Sequence, residues 1–137
     1  MTKFFSPMSL FFALALGATA AWPAQPEDPL KTALELHDAG KLKEALVEYD
    51  KVIKANPKLA EAYFNRGNAY FDLGQYQQAI KDYSEELRLN PKDSEAYFNR
   101  ANARRRLKQD PTALNDYSAA IKLSPNDARS YVNRGSI

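Results

Sequence analysis

The 137 residues contain no cysteine, and histidine and tryptophan occur once each, as His37 and Trp22. Without cysteine no disulfide can brace the chain even in an oxidising compartment, so stability has to come from packing. The same absences remove a thiol nucleophile, a Cys–His zinc set and a pair of metal-spaced histidines. Glycine is scarce, and none of the five builds a phosphate-binding loop. Nor is there an excess of either charge: 19 basic and 17 acidic residues leave a net charge of +2. That balance exerts no long-range pull on nucleic acid or anionic lipid, so neither is an expected partner. Carboxylates alone could serve a glycosidase, but their spacing here follows a repeating surface pattern and favours no catalytic pair. The chain is therefore expected to be no enzyme and to carry no metal or cofactor. His37, in the polar approach to Gly40, reads as an exposed residue at a helix end.

What the chain does have is a period. Pro57, Pro91 and Pro125 recur at one fixed interval, and each closes a near copy of one pattern. Aligned without a gap, Ala60 to Asp93 and Ser94 to Asp127 agree at half of their positions, among them the block Glu-Ala-Tyr-Phe-Asn-Arg. Self-similarity at a period of this length marks an array of supersecondary units, an architecture suited to binding.

The repeating unit is a pair of helices. In Ala60 to Asp93, residues Tyr63, Gly67, Tyr70, Ala79, Tyr83 and Leu87 fall at helical spacing within two segments separated by Gly74-Gln75. The small residues Gly67 and Ala79 allow the two axes to approach, while Tyr63, Tyr70 and Tyr83 fill the wider gaps. Asn90-Pro91 ends the second helix, because a proline disfavours helical geometry at the residue before it. One pair cannot bury its apolar face alone, so stacked neighbours must supply a continuous core.

These residues resemble the tetratricopeptide repeat family, whose signature appears here as Tyr63, Arg66-Gly67, Tyr70, Ala79, Tyr83 and Pro91. The next copy has Tyr97, Arg100-Ala101, Arg104, Ala113, Tyr117 and Pro125, and an upstream copy keeps Ala33, Leu36, Gly40, Ala45, Tyr49 and Pro57. A fourth begins with Tyr131 and Arg134-Gly135. The resemblance implies an all-α, right-handed superhelical solenoid with repeats at about 26–59, 60–93 and 94–127 and a partial repeat at 128–137. It also implies a peptide-binding concave face lined by the first helix of each repeat. Carried over by position, that face comprises Glu61, Phe64, Asn65, Asn68 and Phe71, then Glu95, Phe98, Asn99, Asn102 and Arg105, then Arg129, Val132, Asn133 and Ser136. Asn65, Asn99 and Asn133 form a ladder one repeat apart, flanked by Phe64 and Phe98 as apolar anchors. Their amides either meet an extended peptide backbone or bond to neighbouring helices. A subset of the family clamps the terminal carboxylate of chaperone tails. Asn68, Asn99 and Arg129 match that clamp, but Phe64 and Asn133 replace its other cations, so that ligand is not expected.

Several charges depart from the pattern. Glu86 stands where the family usually has a small residue, and it either pairs with Arg100 or Arg104 or stretches its stem to solvent. Arg66 with Asp82, and Arg100 with Asp116, have the same separation in both copies and read as ties between the helices of a repeat. The cluster Arg100, Arg104, Arg105, Arg106 and Lys108 lies toward a helix C-terminus. There it either complements the helix dipole, meets an acidic protein partner or contacts nucleic-acid phosphates, the last disfavoured by export.

The stretch from Met1 to Ala20 differs in kind. Lys3, the apolar run Leu10 to Leu16 and the small residues Ala18-Thr19-Ala20 describe a secretory signal peptide cut after Ala20, with an uncleaved anchor spanning Phe4 to Trp22 as the alternative. No lipoprotein cysteine is present. Residues 21–29 read as a proline-rich leader and 30–137 as the array. Tyr131 and Val132 leave apolar surface near Ile137, so the last helix either covers repeat 3 or leads into further sequence. The expected function is an exported adaptor or scaffold, in the periplasm or outside the cell, holding a peptide segment or partner protein. Alternatives are a regulatory or substrate-holding part of a larger envelope enzyme, and a self-associating structural array.

Overall fold

The computed structural model describes residues 28–137. The expected signal peptide, its cleavage site and most of the proline-rich leader lie outside the described residues. All secondary structure among the described residues is α-helical: α1 (Pro29–Asp38), α2 (Leu42–Ala55), α3 (Ala60–Asp72), α4 (Tyr76–Leu89), α5 (Ser94–Arg106), α6 (Asp110–Leu123) and α7 (Ala128–Gly135). The helices pair as α1–α2, α3–α4 and α5–α6, each pair packs on the next, and α7 closes against α6. No helix of the described residues is long and apolar enough to cross a membrane.

Helix boundaries recur with the period because their causes recur. Asp28, Asp93 and Asp127 each accept a hydrogen bond from a backbone N–H of the first turn they precede, whereas Leu59, at the equivalent place before α3, offers no such cap. Helices α2, α4 and α6 end at Asn56, Asn90 and Ser124, whose φ angles of −139°, −133° and −134° are the extended geometry required ahead of Pro57, Pro91 and Pro125. The turn inside each pair enters the left-handed region at Gly40 (φ 74°), Gly74 (φ 73°) and Lys108 (φ 57°). Only the third copy asks a side chain to adopt that conformation.

Each pair is built around one fully buried tyrosine: Tyr49, Tyr83 or Tyr117. Small residues admit it. A Cβ at Gly67 would stand 2.8 Å from Tyr83 Cε1, so the ring lies directly on the α3 backbone. The tyrosine cores are closed by the following repeat. Ala69 of α3 belongs to the cluster of Ala33, Ala45 and Tyr49, and Ala103 of α5 to that of Ala79 and Tyr83. This is the stacking that a lone pair cannot supply.

Arginine forks hold the pairs together. Arg66 grips Asp82 through Nε and Nη2, both at 2.7 Å, and Arg100 grips Asp116 at 2.9 and 2.8 Å. The expected ties within repeats 2 and 3 are therefore present. Hydrogen bonding to Asp82 holds the Arg66 guanidinium still more firmly protonated than usual.

Glu86 corrects the sequence reading on both counts. It pairs with neither Arg100 nor Arg104, because both guanidiniums are drawn to Asp116, Arg104 at 2.6 Å. Nor does it reach solvent: Glu86 is 2% exposed, and its Oε2 has no hydrogen-bond partner among the described residues. Burial, reinforced by the nearby Asp93 carboxylate, pushes its pKa up to about 7.

Candidate functional site

Helices α1, α3, α5 and α7 present one face to a shared groove. One hollow of about 330 Å³ is lined by His37, Asn68, Phe71, Asp72, Tyr83, Asn99 and Asn102. A second, of about 500 Å³, is lined by Phe71, Asn102, Arg105, Arg106 and Asn133. Phe71 and Asn102 border both, so the hollows run into each other along the solenoid.

The asparagines are bonded to one another across repeats. Asn99 Nδ2 donates to Asn68 Oδ1 at 3.1 Å, and Asn133 Nδ2 donates to Asn102 Oδ1 at 3.1 Å. The same two oxygens accept from the buried tyrosines, Tyr83 OH at 2.7 Å and Tyr117 OH at 2.6 Å. Burial raises the pKa of both phenols above the usual tyrosine value. The expected ladder is thus mainly an internal brace, with one rung left open. Leu34 occupies the position that Asn68 and Asn102 hold in later repeats, so Asn65 has no equivalent acceptor and makes no side-chain hydrogen bond among the described residues.

Other expected site residues divide in the same way. Phe71 borders the groove and meets Tyr76 edge-on at a centroid distance of 5.2 Å. Phe64 is half-buried and packs on Tyr83. Phe98, expected as an open anchor, is instead 8% exposed. It packs on Tyr117, and the Arg129 guanidinium lies 4.7 Å above its ring. Arg129 itself is tied to Glu95 at 2.7 Å and to Asp127 at 2.9 Å. Arg105 donates to Ser136 Oγ at 3.1 Å. In the neighbouring cluster, Arg104 is paired with Asp116 and Arg106 covers the Tyr76 ring.

His37 departs from the sequence expectation of an exposed helix end. Its imidazole is half-buried in the groove, with Nε2 2.9 Å from Asp72 Oδ2 and Nδ1 3.4 Å from Tyr49 OH. Burial pushes the Tyr49 phenol up to about 12. A signal for His37 exists in the sequence: it stands one period before Phe71, in the same groove-facing column. Among the described residues, no three His, Cys, Asp or Glu side chains gather as a metal site.

A family profile described as "TPR repeat" matches residues 33–74 and 101–137, and two described as "Tetratricopeptide repeat" match 60–93 and 83–115. The chain belongs to the tetratricopeptide repeat (TPR) family. A comparison with curated proteins found no match. Among solved structures, the first TPR of Spaghetti (RPAP3) bound to the HSP90 peptide SRMEEVD is similar at 28% identity and a TM-score of 0.77, over 79% of this chain and 86% of that one. The Arabidopsis OM64 TPR domain is 26% identical with a TM-score of 0.76, over 79% and 89% of the two chains. MamA is 25% identical with a TM-score of 0.75, over 82% of this chain and 64% of MamA.

Proposed function

We propose that this protein is an exported, non-catalytic TPR adaptor whose groove holds an extended segment of a partner protein. The observation that carries the reading is the open groove along α3 and α5, whose two hollows meet at Phe71 and Asn102, together with Asn65 of α3, which makes no side-chain hydrogen bond among the described residues. An extended backbone needs a donor–acceptor amide, and its side chains need apolar contacts at alternate positions. A peptide-bound TPR relative of similar length supports the same use of the fold.

The groove is lined by charges of both signs. Arg129 is already engaged by Glu95 and Asp127, and Asp72 adds a carboxylate to the groove. Arg105 and Arg106 line the second hollow without a carboxylate partner among the described residues, so a segment carrying both apolar and acidic side chains suits this lining.

Two experiments test the reading. Fractionation of cells expressing the full chain, with sequencing of its N-terminus, should find the protein outside the cytoplasm and beginning at Ala21; an intact cytoplasmic chain would remove export from the account. Capture from an envelope extract should retain a partner on the wild type and lose it on a folded Asn65→Ala/Phe71→Ala variant. Equal retention would move binding off the groove.

A further inference from the structure

One column of the groove changes chemistry at every step. His37, Phe71 and Arg105 hold the same place in α1, α3 and α5, one period apart, and Asp72 and Arg106 follow the last two. Helices α3 and α5 touch directly, so the column runs from the first hollow into the second. Its ends differ in sign: Asp72 borders the first hollow, and Arg105 with Arg106 the second.

The carboxylate of the first hollow is held in place without being neutralised. Asp72 Oδ2 accepts from His37 Nε2 at 2.9 Å, a bond that puts the imidazole proton on Nε2. Nδ1 is then the acceptor for the Tyr49 O–H at 3.4 Å, because burial keeps that phenol protonated, and the imidazole is neutral. Asp72 therefore retains its charge. Its side chain is 53% exposed, and its Oδ1 has no hydrogen-bond partner among the described residues. Asn99 lines the same hollow and is tied through Nδ2, so its Oδ1 likewise accepts nothing from the described residues.

Helix geometry does not account for Asp72. It is the last residue of α3, where the negative end of the helix dipole disfavours a carboxylate, and α3 has no basic residue in that turn. In the second hollow the sign reverses: exposed Arg105 donates to neutral Ser136 Oγ, and Arg106 lies over the Tyr76 ring. The buried phenols register the same gradient. Besides burial, Asp72 pushes Tyr83 up, whereas Arg105 works against the burial of Tyr117.

We propose, building on the groove reading, that the groove selects a partner segment with opposite charges at its two ends. A basic side chain enters the first hollow, an apolar one rests on Phe71, and an acidic one enters the second hollow. The ammonium or guanidinium donates to Asp72 Oδ1 and Asn99 Oδ1, and the carboxylate accepts from Arg105 and Arg106. This charge order admits the segment in one direction only, since reversal would set like charge against like at both ends. Packed helices lie about 10 Å apart and an extended chain rises about 3.3 Å per residue, so the apolar and acidic residues stand about three positions apart.

The test is to pan a displayed library of unstructured peptides in parallel on the full chain and on its Asp72→Lys and Arg105→Glu/Arg106→Glu variants. Wild-type binders should carry a basic and an acidic residue on either side of an apolar one. Asp72→Lys should exchange the basic residue for an acidic one, and Arg105→Glu/Arg106→Glu should exchange the acidic residue for a basic one. A misfolded variant cannot imitate such a changed preference. Titration of one wild-type binder should lose at least about tenfold in affinity with Asp72→Asn, and lose nothing further once the peptide's basic residue is glutamine. Wild-type binders of a single charge sign would overturn the proposal. So would binders that need Asn65 and Phe71 but keep one charge pattern on all three proteins; that result would leave the groove reading standing. Binders indifferent to Asn65 and Phe71, or none on the wild type, would overturn both.

Discussion

Asn99 donates its side-chain amide to Asn68 at 3.1 Å, and one repeat later Asn133 makes the same contact with Asn102. The asparagine column is therefore uneven: its later members brace neighbouring repeats, while Asn65, one repeat after Leu34 rather than an asparagine at the acceptor position, makes no side-chain hydrogen bond among the described residues.

This division predicts unequal stability effects from chemically identical changes. Asn99→Ala should cost about 1 kcal/mol in urea unfolding, the net value of a part-buried hydrogen bond. Asn65→Ala should fall within about 0.5 kcal/mol of wild type. Equal losses would show that Asn65 also braces the fold.

Glu86 should make stability depend on pH. Its folded pKa, near 7, is raised above the ordinary 4.5, so the folded chain binds this proton more tightly than the unfolded chain. The resulting stabilisation is complete below about 4.5 and is lost as pH rises through about 7. Glu86→Gln removes the titration and should be the more stable protein at pH 8, by on the order of 2 kcal/mol. A variant with the wild-type pH slope would contradict this.

Lys108→Gly should stabilise the chain. Lys108 has φ 57° at the position where earlier repeats use Gly40 and Gly74. Relieving a left-handed side-chain conformation is worth about 1 kcal/mol, visible as a rise in Tm. An unchanged or lower Tm would mean that Lys108 makes a compensating contact.

Asp82→Ala should be far more damaging than Asp50→Ala, although Arg66 touches both. Asp82 is buried and takes both arms of the fork, whereas the Asp50 side chain is 59% exposed. Chemical denaturation should show a loss of about 3 kcal/mol for the first and under about 1 kcal/mol for the second. Comparable losses would contradict the assignment of the repeat tie to Asp82.

The helix pairs are legible in the sequence because their signals are local. Pro57, Pro91 and Pro125 dictate the extended residue before them, and Gly74 marks the turn at φ 73°. The tyrosine column is legible from its period. Competition among charges is not: Arg100 has a correct acidic partner in Asp116, and nothing local says that Arg104 joins it and leaves Glu86 Oε2 without a partner among the described residues. Nor can spacing tell an unbonded asparagine from a bracing one, since both carry the same amide; only Leu34 in the preceding repeat separates Asn65 from Asn99. Phe98 occupies a groove position, yet the Arg129 that covers it arrives from the next repeat.

The most direct test of the groove is to select binders to the whole chain from a displayed library of unstructured peptides and measure their Kd by calorimetry. The account predicts peptides that combine apolar and acidic residues and whose affinity falls at least about tenfold with Asn65→Ala/Phe71→Ala. Selected peptides that bind the Asn65→Ala/Phe71→Ala protein as tightly as wild type would contradict it.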